Sequence, residues 1–273
     1  VWQVSIRTNA DGEEAAVSLL EQTFQQPPSV YCDEATGART VSVYLKRKPG
    51  KIAGAGKFSI KRLPPQDWAE SWKRHFKPID VDGVLLIKPG WSRRRPRQGQ
   101  KVIVLDPGLS FGTGHHPTTL FCLRTLAKCR HPGQKQTFLD IGTGSGILAI
   151  AAAKLGYSVI EAFDFDPAAI RVSRENAARN RVAHRVRPLC KDLTKLSGKS
   201  ARKYDVVCAN LAHDLLISEA SKIVARLNPG GRLIAAGILR RQFGEVRKNF
   251  QRFHLTLQAK TADKTWQSGQ FVL

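Results

Sequence analysis

Two short stretches of this 273-residue chain place chemically useful residues where backbone can meet a ligand. The first, Asp140-Ile141-Gly142-Thr143-Gly144-Ser145-Gly146, lies between an apolar run and an alanine-rich helical run. Glycines at such a turn permit tight turning and let the chain come close to a bound molecule at a helix N-terminus. The second, Phe163-Asp164-Phe165-Asp166-Pro167, ends the next strand with two carboxylates. Asp166 precedes a proline at the first helical position and reads as an N-cap. Asp164 is then the carboxylate left to accept hydrogen bonds from both hydroxyls of a ribose, in the crevice at the carboxyl end of a parallel sheet.

The glycine spacing narrows the ligand. A dinucleotide fingerprint is G-x-G-x-x-G, but Ile147 follows Gly146, so the pattern here is G-x-G-x-G. That form suits a ligand carrying a sulfonium and a carboxylate, with no pyrophosphate to cradle. Asp192, after a third strand, is placed either to meet an adenine amino group or to close a turn. Asn210 ends a fourth strand, and its amide both donates and accepts, so it can orient a nucleophile or a ligand's amino-acid end, or cap the next helix. His213 and Asp214 lie close enough in sequence to Asn210 to be candidate bases. Upstream, Leu105 to Thr119 holds three glycines and two prolines and opens a helix expected near Leu120, capped by Thr118 or Thr119. His115 and His116 lack a carboxylate or cysteine at ligand spacing, so no metal site is expected.

These residues need a scaffold, and hydrophobic patterning supplies one. From residue 101 strand and helix signals alternate, the mark of a parallel sheet with helices on both faces. Strands are expected at Thr137–Ile141, Tyr157–Phe165, Val186–Cys190, Tyr204–Asn210 and Arg232–Ile238. Helices are expected at Gly142–Leu155, Pro167–Asn180, Leu211–Leu227 and Arg240–Phe250, and two final strands follow each other as an antiparallel hairpin. Residues 1–65 read as a small α+β domain in the order strand, helix, strand, strand, strand. Residues 66–100, with Trp68, Trp72, Phe76, Trp91 and the basic run Arg93-Arg94-Arg95-Pro96-Arg97, read as an aromatic and basic linker.

Composition bounds the function class. Apolar residues at 42% and charged residues at 24% are ordinary for globular chains, and no apolar run reaches the roughly 18–20 residues of a membrane span. No secretory signal is visible, so a soluble, cytoplasmic protein is expected. Five scattered cysteines without a C-x-x-C pair argue against a disulfide scaffold or a structural zinc. Forty-four Lys and Arg against 22 Asp and Glu give +22, a charge that attracts nucleic acid or ribonucleoprotein.

Taken together, the D-x-G-x-G-x-G turn, the acidic strand end, the fourth-strand Asn and the last antiparallel strand resemble the class I S-adenosylmethionine-dependent methyltransferases. The loop Leu105–Thr119, the block Phe138–Asn180 and Asp205–Ile238 are similar to the PrmA-type ribosomal-protein methyltransferases, over most of residues 66–273. The resemblance implies a doubly wound, mostly parallel seven-stranded sheet with an antiparallel last strand, preceded by a substrate-recruiting domain that is one helix short here. It implies S-adenosylmethionine as cofactor, held by Thr119, Gly142, Asp164 and Asn210, with Asn210 also catalytic; the reading of the turn and of the third strand adds Gly144, Gly146 and Asp192 to the expected cofactor contacts. It implies methyl transfer to lysine or amino-terminal amines of a large-subunit ribosomal protein, and the basic surface adds ribosomal RNA as an expected contact. Two departures stand out. His115 replaces the threonine of Thr-His-Pro-Thr-Thr, and Leu211-Ala212-His213-Asp214 replaces the usual Ile-Leu-Ala-Gly. RNA methylation is the rival activity, although the Asn-Pro-Pro-Tyr signature is missing. A non-catalytic ribosome-binding protein that retains the fold is the rival outside enzymology.

Overall fold

The computed structural model describes residues 2–9, 11–26, 28–32, 38–50, 58–63, 77–106 and 116–273. The chain forms two compact units, Val1–His75 and Phe76–Leu273. In the first, strands β1 (Trp2–Thr8), β2 (Ser29–Cys32), β3 (Arg39–Leu45) and β4 (Ser59–Arg62) form a sheet in the order β2-β3-β1-β4, with neighbours antiparallel. Helix α1 (Glu13–Phe24) turns Ala16 and Leu20 onto Val4, Val41 and Val43 to make a small core. Period-two alternation puts those valines on one face and Gln3, Ser5, Ser42 and Tyr44 on the other.

The second unit begins with a three-stranded sheet of β5 (Ile79–Val81), β6 (Leu85–Lys88) and β7 (Lys101–Val104). Two of these strands lie in the stretch read as linker. Each is too short for alternation to register. Trp68, Trp72 and Phe76, by contrast, fall outside the described residues.

Then follow α2 (Pro117–Cys129), β8 (Thr137–Ile141), α3 (Ile147–Leu155), β9 (Val159–Asp164), α4 (Pro167–Arg179), β10 (Leu189–Cys190) and β11 (Tyr204–Asn210). The chain continues through α5 (His213–Ser218), α6 (Ala220–Val224), β12 (Leu227–Leu239), α7 (Phe243–Gln251), β13 (Thr256–Ala262) and β14 (Trp266–Val272). The seven-stranded sheet runs β10-β9-β8-β11-β12-β14-β13, parallel except for β14, which is antiparallel to both its neighbours. The doubly wound architecture implied by the sequence is therefore the one found. Three details differ. One expected helix is split at Glu219 into α5 and α6, β10 shrinks to two residues while Val186 goes into the core, and β12 extends to thirteen residues.

Alternation along β8 divides the core. Phe138 joins the α3 side, where Ile147 to Ala153 are all buried, as an apolar-all-round helix requires. Leu139 and Ile141 face the other layer, with Leu216, Ile223, Phe250 and Phe271. Strand order reverses between β8 and β11, so the loops leaving these two strands part and open a crevice at their carboxyl ends.

Candidate active site

Gly142, Gly144 and Gly146 follow β8 with φ of +71°, +51° and +80°, a region other residues rarely adopt. The amides of Gly142 and Thr143 both donate to Phe163 O at 3.0 Å, which fastens the turn to the end of β9. A Cβ on Gly142 would sit 2.4 Å from Leu211 Cδ2, so the walls of the crevice already touch there. The third glycine has another purpose. A Cβ on Gly146 would meet Ser173 Cβ at 2.9 Å and Ser173 Cα at 3.2 Å, so its bare backbone lets α3 pack closely on α4. Spacing alone could not separate these two uses.

Asp164, the last residue of β9, is buried, and its oxygens accept from Gly144 N at 2.9 Å and Asp166 N at 3.1 Å. It therefore orders the glycine turn as well as facing the crevice, a dual role the sequence did not reveal. Asp166 caps α4 as expected, accepting from Ala168 N at 2.8 Å. Asp192 lines the same crevice while accepting from Thr194 N and Oγ1 at 2.9 and 2.8 Å. The Thr194 bonds keep its carboxyl below the usual carboxylate range. The ligand-facing and turn-closing readings of Asp192 thus coexist.

Asn210 ends β11, and its Oδ1 is buried without a hydrogen-bond partner among the described residues. Gly237 makes room for it: a Cβ there would lie 2.5 Å from Leu211 O and 3.1 Å from Asn210 Oδ1. Together with Gly142, Gly144, Phe163, Asp164, Lys191 and Asp192, Asn210 lines a cleft of about 290 Å³. Phe165, 71% exposed at its rim, was missed by sequence reasoning although it sits directly between the two aspartates.

Thr119 does not line this cleft. It is the third residue of α2, buried, with Oγ1 lacking a partner among the described residues. Neither Thr118 nor Thr119 caps the helix. His116 is the N-cap residue, without a side-chain cap bond, and its Nδ1 pairs with Thr118 Oγ1 at 2.7 Å. His115 and the rest of the glycine-rich loop, residues 107–115, lie outside the described residues. His213 is taken out of the base role. Its Nδ1 meets Asp214 Oδ1 at 2.7 Å and its Nε2 meets Glu245 Oε2 at 2.9 Å, and the two carboxylates favour the imidazolium, raising its pKa.

One buried acid behind the turn completes the electrostatics. Asp140 accepts from Thr143 Oγ1 at 2.6 Å through one oxygen, while the other has no partner. Burial pushes its pKa up to about 7, against the pull of the Thr143 bond and helped by the charge of Asp164.

The family model for ribosomal protein L11 methyltransferase (PrmA) matches residues 3–272. The chain belongs to the PrmA family. The match extends the resemblance back through the first unit. The chain is 41% identical over 260 residues to a ribosomal protein L11 methyltransferase of Trichlorobacter lovleyi, covering 94% of this chain and 82% of that protein. It is 40% identical over 268 residues to another from Geobacter metallireducens, covering 96% and 80%. Among solved structures, a ribosomal protein L11 methylase from Lactobacillus delbrueckii subsp. bulgaricus superposes with a TM-score of 0.64 at 29% identity, covering 72% of this chain and 98% of that one.

As a PrmA-family chain this is an S-adenosylmethionine-dependent methyltransferase, and its residues fit that cofactor. Gly142 and Gly144 bring bare backbone to the cleft, the carboxylate of Asp164 lines it beside them, and Asn210 Oδ1 is a buried acceptor with no donor among the described residues.

Proposed function

We propose that the chain methylates lysine or amino-terminal amines of the large-subunit ribosomal protein L11, the substrate named for its relatives. The observation that supports this most is the unsatisfied Asn210 Oδ1, set in the same cleft as Asp164 and Gly142. An amide oxygen there accepts a hydrogen bond from an incoming N–H and aims the nitrogen lone pair. It is too weak a base to remove a proton, so the amine must arrive neutral. A free lysine has a pKa near 10.4, and desolvation against Ile141, Phe163, Leu211 and Leu215, all at the cleft, favours its neutral form. Bound S-adenosylmethionine supplies an electrophilic methyl group. Asp164 and the glycine turn fix the cofactor's position, and holding donor and acceptor in line is worth up to ~7–11 kcal/mol of barrier.

We assign substrate recruitment to residues 1–65, and residues 101–273 to methyl transfer. The +22 charge supports contact with ribosomal RNA as well. No described helix is long and apolar enough to cross a membrane, and a ribosomal substrate supports a cytoplasmic reaction. The test is transfer of radiolabelled methyl groups into a methylation-deficient extract, with and without ribonuclease. Label in L11 that survives ribonuclease is expected. Label that ribonuclease removes would replace this reading with RNA methylation, and no label together with no cofactor binding would leave a non-catalytic ribosome-binding protein.

A further inference from the structure

Residues 171–203 hold eleven Lys and Arg but only two acids, Glu175 and Asp192, so this eighth of the chain carries a large share of its excess positive charge. The segment runs from the outer side of α4 through β10, the first strand of the sheet order, to the start of β11. Three of the cations are paired: Arg179 with Asp106, Lys195 with Asp192 and Arg202 with Glu161. Arg185 is spent on the Ala153 and Tyr157 carbonyls behind α3.

The other seven are exposed, with no ion pair among the described residues. Arg174 donates twice to Pro188 O, at 3.3 and 3.0 Å, which draws the arginines of α4 up to Arg187 beside β10. Lys191, next along, reaches the rim of the cofactor cleft. Charge of one sign is crowded here: burial, then the charge of Arg181, lowers the pKa of Lys154.

A sheet edge needs one or two charges to discourage strand pairing. Arg171 and Arg181 do not sit on that edge. Arginine, moreover, is the cation whose planar fork matches phosphate oxygens two at a time. We propose that the surface running from α4 and the turn after it to the β10 edge, with Arg171, Arg174, Arg181 and Arg187, is a docking surface for the phosphate backbone of RNA. RNA is favoured over an anionic membrane because a large-subunit ribosomal protein is met among RNA. To that extent the inference rests on the proposed function.

The experiment titrates the full chain into a fluorescein-labelled RNA hairpin and follows anisotropy between about 50 and 200 mM salt, where phosphate contacts show as a linear fall of log affinity with log salt. The Arg171→Glu/Arg181→Glu/Arg187→Glu variant is expected to bind at least about tenfold more weakly, with a salt slope shallower by about two to three. Its S-adenosylmethionine affinity by calorimetry should be unchanged, which shows that the cleft is folded. A second variant, Arg240→Glu/Arg241→Glu/Lys264→Glu, changes net charge equally around a different hollow. Equal loss in both variants would reduce the effect to net charge and overturn the assignment. So would binding to phosphatidylserine vesicles but not to RNA, or no RNA binding while L11 is methylated. RNA binding lost as expected, with L11 left unlabelled, would keep the surface and sink the proposed substrate.

Discussion

The two ends of the parallel sheet use the same residue types to opposite ends. At the amino ends, Asp205 accepts from Thr137 N at 2.7 Å, Thr137 Oγ1 at 2.9 Å and Asn228 Nδ2 at 2.8 Å, and Asp205 N donates back to Thr137 Oγ1 at 2.9 Å. Burial pushes the Asp205 carboxyl up, but the bonds from Thr137 and Asn228 outweigh it and its pKa is lowered. Toward the carboxyl ends the same three types recur as Asp140 of β8, Asn210 of β11 and Thr119 of the neighbouring α2, and each keeps a buried oxygen without a partner among the described residues. An unmade buried hydrogen bond costs roughly 1–3 kcal/mol. One end therefore holds β8, β11 and β12 together, while the other carries polar groups that the described residues leave unsatisfied, with Asn210 alone of the three lining the cleft.

That contrast can be broken in four places. Replacing Asp164 with Ala removes the acceptor for Gly144 N and Asp166 N as well as the ribose contact. With charged hydrogen bonds worth ~1.5–3 kcal/mol each, the cofactor Kd should rise about 10²–10³-fold by calorimetry. A change under about threefold would show that Asp164 serves the turn alone. At the opposite end, Asp205→Ala strands three donors and should cost about 2–4 kcal/mol in urea unfolding. Cofactor affinity of the folded protein should not move, and if it does, the two ends are not separate.

Gly142→Ala forces a side chain to φ +71° and against Leu211, a strain of about 1–3 kcal/mol. It should weaken cofactor binding about tenfold and leave product-independent properties such as urea slope alone. Asp140 gives the most pH-specific effect. Its folded pKa lies above the unfolded value, so the native state binds the extra proton and stability falls as pH rises from about 4 through about 7. Asp140→Asn should flatten that part of the Tm–pH profile, and a variant that keeps the slope would assign it to another group.

Much of this was readable beforehand, for a physical reason. The G-x-G-x-G turn, the Asp166-Pro167 cap and the strand-end positions of Asp164 and Asn210 are local, and local chemistry is written in consecutive residues. What escaped depends on partners far away in sequence. Gly146 looks like its neighbours until Ser173 arrives beside it, and His213 looks like a base until Glu245, on α7, takes its second nitrogen. Asn180 was merely a helix terminus. Its amide in fact donates to Val104 O and accepts from Val104 N, both at 2.7 Å, doing for β7 what a further strand would do. The small β5–β7 sheet escaped because three or four residues are too few to show a period.

The placement of β14 has a consequence for how the unit is assembled during synthesis. β13 is made before β14 yet lies beyond it in space, and its sheet partner is β14 alone. As the chain leaves the ribosome, β12 stands with an open edge and β13 has no seat. The strand that fills the gap is made after both of them, so until then the nascent sheet stays incomplete at its interior. Direct β12–β13 pairing is then a ready wrong turn, which β14 must prevent by arriving between them.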